Sequence, residues 1–266
     1  MIAVPAGPFI MGSDTHYPEE RPAHVEHVEA FAISAGPVSV REFAAFVDAT
    51  GYVTSAEIAP SDFDAPAGSA VFTPPDHPVD LSDPSAWWSW VAGACWRHPT
   101  GPSSDACDDH PVVQVSYADA LSYCAWAGTG LPTETQWELA AQGAEFTSAN
   151  IWSGAFPHAA TGLATTSAIS RYDPNPLGLF DAVGNVWEWT TTPWTHDHVP
   201  RCCGPVHDPL APGVPLHVAK GGSFLCSEDY CARYRPAARL AMAVDSASCH
   251  LGFRTVRQQE ARVLRS

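Results

Sequence analysis

The sequence is poor in positive charge, and it has no apolar run long enough to cross a bilayer. Its 266 residues contain 13 Lys and Arg against 29 Asp and Glu, a formal net charge of −16 at pH 7. This excess of negative charge repels phosphate groups, so we expect no nucleic-acid partner and no association with an anionic membrane. The N-terminus also lacks a basic stretch followed by an apolar stretch, which predicts a cytoplasmic location.

Charged residues of both signs are scarce, at 16% of the chain, whereas hydrophobic residues make up 45%. This composition supplies enough apolar material for a core and excludes a disordered chain. No change in composition marks a linker, so we predict a single domain over residues 1–266, and we expect a monomer. The 25 Pro, 19 Gly and 10 Trp favour an α+β fold with little regular secondary structure, in which aromatic side chains hold long loops.

Three short helices have local start and stop signals. The sequence predicts one helix after Ser39 that ends at Gly51, a second from Ser116 to Gly128, and a third from Thr133 to Gly143. The first and third begin with the spacing of a capping box, and glycine is the usual residue just beyond a helix end.

Alternation typical of strands is weaker than the helix signals. It predicts strands at residues 25–29, 112–115, 217–219 and 253–256. We expect no helix in residues 52–110 and irregular structure in residues 191–215, and long segments of this kind are usually functional. Residues 257–266 are predicted to form a short helix or a frayed end.

Eight cysteines are spread along the chain from Cys95 to Cys249, too sparsely for a disulfide-rich secreted domain. Most are therefore expected to be free thiols in a reducing compartment. Cys124 is expected to be a buried small hydrophobic residue, and the adjacent Cys202 and Cys203 lie in a predicted loop.

Cys226 and Cys231 form the pair of greatest chemical interest. They follow Gly221 and Gly222, whose backbone freedom would let two thiols meet across a turn or one helical winding. Three interpretations of the pair remain open: a structural disulfide or inert thiols, a zinc site completed by Cys249 and His250, or a Cu(I) site. Paired thiolates are soft ligands, and Cu(I) tolerates low coordination better than zinc does.

Several ordered motifs make the chain resemble the formylglycine-generating enzymes, also called sulfatase-modifying factors. They span almost the whole sequence: VPAGPFIMG at 4–12, WRHP at 96–99 with GP at 101–102, HPVV at 110–113, GLPTE at 130–134, ANIW at 149–152, GLF at 178–180, VGNVWEW at 183–189, GGS at 221–223 and LGFR at 251–254. Much of this set belongs to a wider superfamily with sulfoxide synthases and non-catalytic members. The pair of Cys226 and Cys231, together with WRHP, narrows the resemblance to the formylglycine-generating enzymes.

The resemblance implies a C-type-lectin-like core and a copper-dependent oxidase that consumes O₂. Its substrate would be an unfolded sulfatase-type polypeptide, in which the cysteine of a Cys-x-Pro-x-Arg segment becomes formylglycine. Cys226 and Cys231 would bind Cu(I), with Cys231 the more permanent ligand, and Ser223 and Trp189 would line the pocket for oxygen and the substrate thiol. The substrate contacts that we expect are Trp88, Trp96, Arg97, Tyr230 and Arg235.

The resemblance also implies structural calcium. The backbone carbonyls of Val183, Gly184 and Val186 and the carboxylate of Glu188 are the hard oxygen donors that this ion prefers. A second family site near Asn150 is not supported by the sequence, because the stretch that follows at residues 162–167 has no carboxylate.

Departures from the family pattern lie close to the catalytic motifs. Cys95 stands before WRHP, Asp229 lies between the paired cysteines, and Cys249 and His250 precede LGFR. Cys249 or His250 is a possible extra metal ligand, and acidic residues beside a thiol are expected to raise its pKa. These departures leave two alternatives open, a related metal-dependent oxidase for a different thiol and a non-catalytic binding module of the same fold.

Overall fold

The computed structural model describes residues 1–61, 64–199, 206–209 and 211–258. Short strands and three helices are joined by long loops, as expected from the proline and glycine content. The helices are α1 (Val40–Thr50), α2 (Tyr117–Ala127) and α3 (Glu134–Ala141). The strands are β1 (Ile2–Val4), β2 (Gly7–Met11), β3 (His24–Val28), β4 (Phe31–Ile33), β5 (Gly68–Phe72), β6 (Trp88–Ala92), β7 (Gly154–Ala155), β8 (Ala159–Ala160), β9 (Trp187–Pro193), β10 (Leu216–Lys220), β11 (Arg239–Ala243), β12 (Leu251–Gly252) and β13 (Val256–Gln258).

The three predicted helices are confirmed, because their termini depend on local chemistry. In α1 the Ser39 hydroxyl accepts from the Glu42 amide, and the Glu42 carboxylate accepts from the Ser39 amide. Equivalent capping boxes start α2 and α3, and Gly51 adopts the left-handed conformation that closes α1. Helix α3 ends at Ala141, two residues before the predicted Gly143.

Two of the four strand predictions are confirmed, and two are wrong. Residues 25–29 match β3 with a shift of one residue, and 217–219 lie within β10. Residues 112–115 form no strand because Gln114 has a φ of 62°, which breaks an extended run. Of residues 253–256 only Val256 is in a strand.

The two irregular segments contain more strand than the sequence indicates. The described residues between 52 and 110 form no α-helix, as predicted, but they contain the hairpin of β5 and β6. Strand β9 extends two residues past Thr191, to Pro193. Cys202 and Cys203 lie outside the described residues, as does the end of the chain from residue 259, and Arg257 and Gln258 belong to β13.

Two sheets organise the core. One has the order β11-β10-β9-β12, antiparallel except that β12 runs parallel to β9, and the other joins the two ends of the chain in the order β1-β4-β13. The main hydrophobic cluster packs side chains of α1 and α2, such as Phe43 and Tyr123, against Trp187 and Trp189 of β9. Cys226 belongs to this cluster, so packing in the hydrophobic core holds the loop after β10 in place.

A network of buried charges ties α3 to the larger sheet. Glu134 accepts two hydrogen bonds from Arg239 of β11, at 2.7 and 2.9 Å, and Glu138 accepts one from Lys220 of β10 at 2.8 Å. All four side chains are at most 2% exposed. In the described part of the chain no helix has the length and apolar character needed to cross a membrane.

Candidate active site

The structure brings two cysteines of the loop after β10, Cys226 and Cys231, into contact. The Sγ atoms of Cys226 and Cys231 lie 3.7 Å apart, and both residues are free thiols. The turn is closed by reciprocal backbone hydrogen bonds between Ser227 and Cys231, at 3.2 and 2.9 Å. Gly221 and Gly222 precede it with φ values of 98° and 77°, a conformation that favours glycine. This geometry excludes any arrangement in which the two sulfurs lie far apart in the folded protein.

The two thiols have opposite electrostatic surroundings. Burial, reinforced by Cys231, raises the pKa of Cys226 well above its usual value. The pKa of Cys231 is lowered to about 6, first by its hydrogen bond with Cys226 and then, against the effect of burial, by the Arg233 guanidinium. The thiolate of the pair therefore resides on Cys231, which is only half-buried. The expectation that the acidic residues of this loop raise the thiol pKa is wrong for Cys231, and for Cys226 the main cause is burial.

Ser223 contacts the pair, and Trp189 belongs to the same buried cluster as Cys226. The Ser223 amide is 3.4 Å from the Cys226 sulfur and donates to it, and its hydroxyl accepts from the Leu225 amide at 3.2 Å. Trp189 is fully buried in the same cluster as Cys226, and its indole N–H donates to the Val115 carbonyl at 3.1 Å. With that N–H engaged, Trp189 can shape the pocket but cannot donate to a ligand.

A groove of about 970 Å³ lies on the side of Trp88 and His250, and neither Cys226 nor Cys231 is among its lining residues. Trp88, Trp90, Met242, Ser248 and His250 are among the residues that line it. The rings of Trp88 and His250 meet edge to face with centroids 4.8 Å apart. The Nδ1 atom of His250 and the hydroxyl of Ser248 are buried and have no partner among the described residues.

Aromatic side chains connect this groove to the cysteine pair. Trp88 contacts Phe72 at 6.3 Å between centroids, Phe72 contacts Phe156 at 6.1 Å, and Phe156 stacks on Tyr230 at 4.6 Å. Tyr230 is 37% exposed and directly precedes Cys231. Two of the expected substrate contacts, Trp88 and Tyr230, therefore lie at opposite ends of one aromatic layer.

Among the expected substrate contacts Trp88 lines the groove, whereas Trp96, Arg97 and Arg235 do not. Trp96 is 1% exposed and packs against Phe43 in the core. Arg97 covers the Trp96 ring at 4.0 Å, and Arg235 is held by Glu20 with contacts of 2.8 and 2.6 Å. Arg97 is itself exposed and also meets Asp48 at 3.6 Å, so packing engages Trp96 and ion pairs engage the two arginines.

The departures from the family pattern add no third metal ligand to the pair among the described residues. Cys249 is 5% exposed, its sulfur accepts from the Phe72 amide at 3.2 Å, and burial raises its pKa to about 11. Burial lowers the pKa of His250 to about 3. Cys95 is buried in a tight turn with His98, and Asp229 is exposed. Among the described residues no three His, Cys, Asp or Glu side chains are grouped as metal ligands, so Cys249 and His250 do not complete a zinc tetrahedron with the pair.

Glu188, the expected carboxylate ligand for calcium, is engaged in a buried ion pair. The Glu188 carboxylate accepts from Arg254 at 2.5 and 2.7 Å and from the Trp137 indole at 2.7 Å. Asp181, which the sequence reasoning missed, is 7% exposed, and its Oδ2 atom has no partner among the described residues. Burial raises the pKa of Asp181 to about 6, although Arg254 opposes the shift. An unpartnered buried carboxylate oxygen beside Glu188 fits a hard cation, whereas Glu188 itself is largely engaged by Arg254.

The fold and the site define a loop-rich α+β protein of one domain with a two-cysteine centre. A family model described as "Sulfatase-modifying factor enzyme 1-like domain" matches residues 1–259. The chain is 45% identical to the formylglycine-generating enzyme of Mycobacterium tuberculosis, with 96% of this chain and 97% of that protein covered. For the formylglycine-generating enzyme of Thermomonospora curvata the identity is 42%, with 96% and 92% covered.

A solved structure shows the same fold at lower identity. PvdO from Pseudomonas aeruginosa matches with a TM-score of 0.66 at 21% identity, over 96% of this chain and 93% of that one. The chain belongs to the sulfatase-modifying factor family of formylglycine-generating enzymes, with a C-type-lectin-like core. It is accordingly an oxidoreductase, and the resemblance stated from the sequence motifs is confirmed.

Proposed function

We propose that this protein is a copper-dependent, O₂-using oxidase that converts the cysteine of a sulfatase-type Cys-x-Pro-x-Arg segment to formylglycine. The observation that carries the proposal is the contact of 3.7 Å between the sulfurs of Cys226 and Cys231, in a chain so similar to enzymes named for this product. The conversion breaks the C–S bond and one C–H bond of the substrate cysteine, forms C=O, releases the sulfur as sulfide and reduces O₂ to water. O₂ accepts four electrons and the substrate supplies two, so a thiol reductant has to supply the remainder.

Cys226 and Cys231 would hold the metal. Two sulfur donors without a third side chain suit a soft ion of low coordination number, which favours Cu(I) over zinc. When bound, Cu(I) would supply coordination of the substrate thiol and electron transfer to O₂. The chain's own residues prepare that chemistry: Cys231 holds the thiolate, the Ser223 amide fixes the Cys226 sulfur, and Trp189 keeps water from the buried side.

The groove supports an extended peptide as substrate. Its volume of about 970 Å³ lies at the upper end of the usual range for ligand pockets. Trp88 and Met242 offer apolar surface for the proline of the segment. Asp245 also lines the groove and supplies negative charge for the arginine of the motif.

A structural calcium ion is the second part of the proposal. Val183, Gly184 and Val186 would contribute backbone carbonyls and Glu188 a carboxylate, and the free Oδ2 of Asp181 supports the same position. The cytoplasmic location and the monomeric state stay predictions. The six described cysteines are all unpaired, which suits a reducing compartment.

Anaerobic titration with Cu(I), followed by mass spectrometry of a Cys-x-Pro-x-Arg peptide, tests the main proposal. Wild-type protein with O₂ and a thiol reductant should remove the peptide sulfur and create an aldehyde. Cys226→Ser and Cys231→Ser should lose both stoichiometric Cu(I) and product, while Cys107→Ser, which removes an exposed free thiol, should keep both. Failure of the copper-loaded wild type to form aldehyde would remove the proposal.

A related oxidase for a different thiol is the second candidate. The observation that favours it is His250, which lines the groove against Trp88 where the family pattern has asparagine. If this candidate is right, His250→Asn should increase turnover of the sulfatase peptide. Efficient turnover by the wild type would count against it.

A further inference from the structure

We propose that Arg233 is a positioning residue for Cys231, and that Tyr17 and Glu19 hold its guanidinium against the sulfur. The inference deepens the proposed function and rests on it. It assigns a role in the copper centre to the segment before β3, which lies more than 200 residues away in the sequence.

Two side chains of this segment fix the guanidinium. The Nε and Nη2 atoms of Arg233 donate to Glu19 Oε1 at 3.1 and 2.6 Å. The guanidinium carbon lies 3.8 Å from the centroid of the Tyr17 ring. The side chains of Arg233 and Glu19 are 24% and 15% exposed, so solvent screens this pair less than a surface pair.

The remaining end of the guanidinium faces the catalytic pair. Its Nη1 atom lies 3.9 Å from the Cys231 sulfur and donates to it. The Tyr17 hydroxyl also accepts from the Ala232 amide at 3.2 Å. The segment therefore holds the loop at two points, through the Ala232 amide next to Cys231 and through the Arg233 guanidinium.

The chemistry of the centre explains why a fixed cation is useful there. Cu(I) between two thiolates is a complex with a net negative charge, and a guanidinium keeps its positive charge at any working pH. Glu19 neutralises part of the guanidinium charge, so the orientation of the guanidinium matters. Glu19 binds its Nε and Nη2 atoms and leaves Nη1 directed at the Cys231 sulfur. A freely moving side chain would spend less time in that position.

Arg235 shows that the arrangement is specific to Arg233. It also meets a glutamate of the same segment, Glu20, at 2.6 Å. Its third contact, however, is the carbonyl of Ala232 at 3.2 Å, and no contact joins it to either sulfur. The two arginines thus share an anchor segment, but only one of them reaches the copper ligands.

Competition of the apo protein with a Cu(I) chelator under anaerobic conditions measures the predicted effect. Arg233→Gln should weaken Cu(I) binding by about tenfold to a hundredfold, the range for loss of a charge-assisted hydrogen bond. Arg233→Lys should recover part of the loss because it keeps the charge. Glu19→Gln should also weaken Cu(I) binding. In the variant that combines Glu19→Gln with Arg233→Gln, the Glu19 substitution should add little further loss, since Glu19 acts through Arg233.

Controls separate this role from a general effect on charge or folding. Arg41→Gln removes the same charge from an exposed pair with Asp108 and should leave the affinity unchanged. Melting temperatures of the apo proteins report folding, and if Arg233→Gln does not fold, Arg233→Lys and Glu19→Gln decide. Unchanged affinity in the folded variants, or additive effects of Glu19→Gln and Arg233→Gln, would overturn the inference while leaving the proposed function intact. No Cu(I) binding by the wild type would overturn both.

Discussion

Cys226 and Cys231 are identical side chains to which the fold gives different properties. Cys226 lies in the core beneath an amide that donates to its sulfur, and Cys231 is half-buried beside a guanidinium. The motif that contains them predicted that they form a centre. It did not predict which of them carries the negative charge, because Arg233 acts only once the segment containing Glu19 has folded against it.

Selective alkylation should reveal this difference in the metal-free protein. Iodoacetamide should modify Cys231 well before the buried Cys226, because only a thiolate is nucleophilic. The lowered pKa of Cys231 means that its reaction should persist down to a pH of about 6 and then decline as the thiolate is protonated. Peptide mapping by mass spectrometry checks the order, with buried Cys249 as the unreactive comparison. Equal labelling of Cys226 and Cys231 would contradict the assignment.

Asp181 should make stability fall with rising pH when calcium is removed. Its pKa is raised from 3.8 to about 6, so between these values the folded state binds more protons than the unfolded state, and ionisation of Asp181 weakens the fold. In EDTA, Asp181→Asn should therefore stabilise the protein by about 1–3 kcal/mol above pH 6 and change little below pH 4. Urea unfolding at several pH values measures this, and calcium added to the wild type should offset the same loss.

At the scale of elements, the agreement between sequence and structure depends on how local the signal is. Helix α1 follows from Ser39 and Glu42, which cap each other at its start, and from Gly51, whose amide donates to Val47 at its end. The hairpin of β5 and β6 and the bend at Gln114 have no comparable local signal, since cross-strand partners and backbone bonds to distant loops decide them. Sequence reasoning therefore located the helices well and the strands poorly.

The Gly221–Gly222 turn is the element that presents the cysteines, and it tolerates no side chain. A Cβ atom on Gly222 would lie 2.7 Å from the Arg233 carbonyl oxygen and 3.0 Å from the Tyr234 Cα. Gly222→Ala should destabilise the protein by more than about 1 kcal/mol, since the φ of 77° is also unfavourable, and it should weaken Cu(I) binding by displacing Arg233. Gly130→Ala, which meets nothing within 4 Å, is the matched control. Thermal unfolding with and without Cu(I) would show the contrast, and equal melting temperatures would refute it.

At the scale of the whole molecule, stability depends on charges placed in the core. Burial opposes ionisation of Glu134, but Lys220, His198 and Arg239 outweigh it and lower the pKa to about 2. A depressed folded pKa stabilises the protein above the ordinary value near 4.5, and this contribution is lost as the pH falls toward about 2. Protonation of Glu134 in acid should therefore weaken the contact between α3 and the larger sheet and lower the stability of the protein.

Lys220→Met should destabilise the fold by about 3–5 kcal/mol, because it leaves Glu138 with an uncompensated buried charge. The cooperative denaturant midpoint should fall, and the loss should shrink at low pH, where the glutamates become protonated. Arg41→Gln, in an exposed pair, should change stability by less than about 1 kcal/mol. A Lys220→Met variant as stable as wild type would show that the network relaxes or admits water.

The sequence by itself determined the family, the three helices and the two cysteines of the centre, because these depend on contiguous motifs and on signals within one turn of chain. The tertiary structure alone decided that Glu19 holds Arg233 against Cys231, that the Oδ2 atom of Asp181 has no partner among the described residues, and that Trp96 lies in the core, where Arg97 covers its ring. The physical reason is that the charge, burial and exposure of a side chain depend on neighbours far away in the chain, and those neighbours exist only after folding.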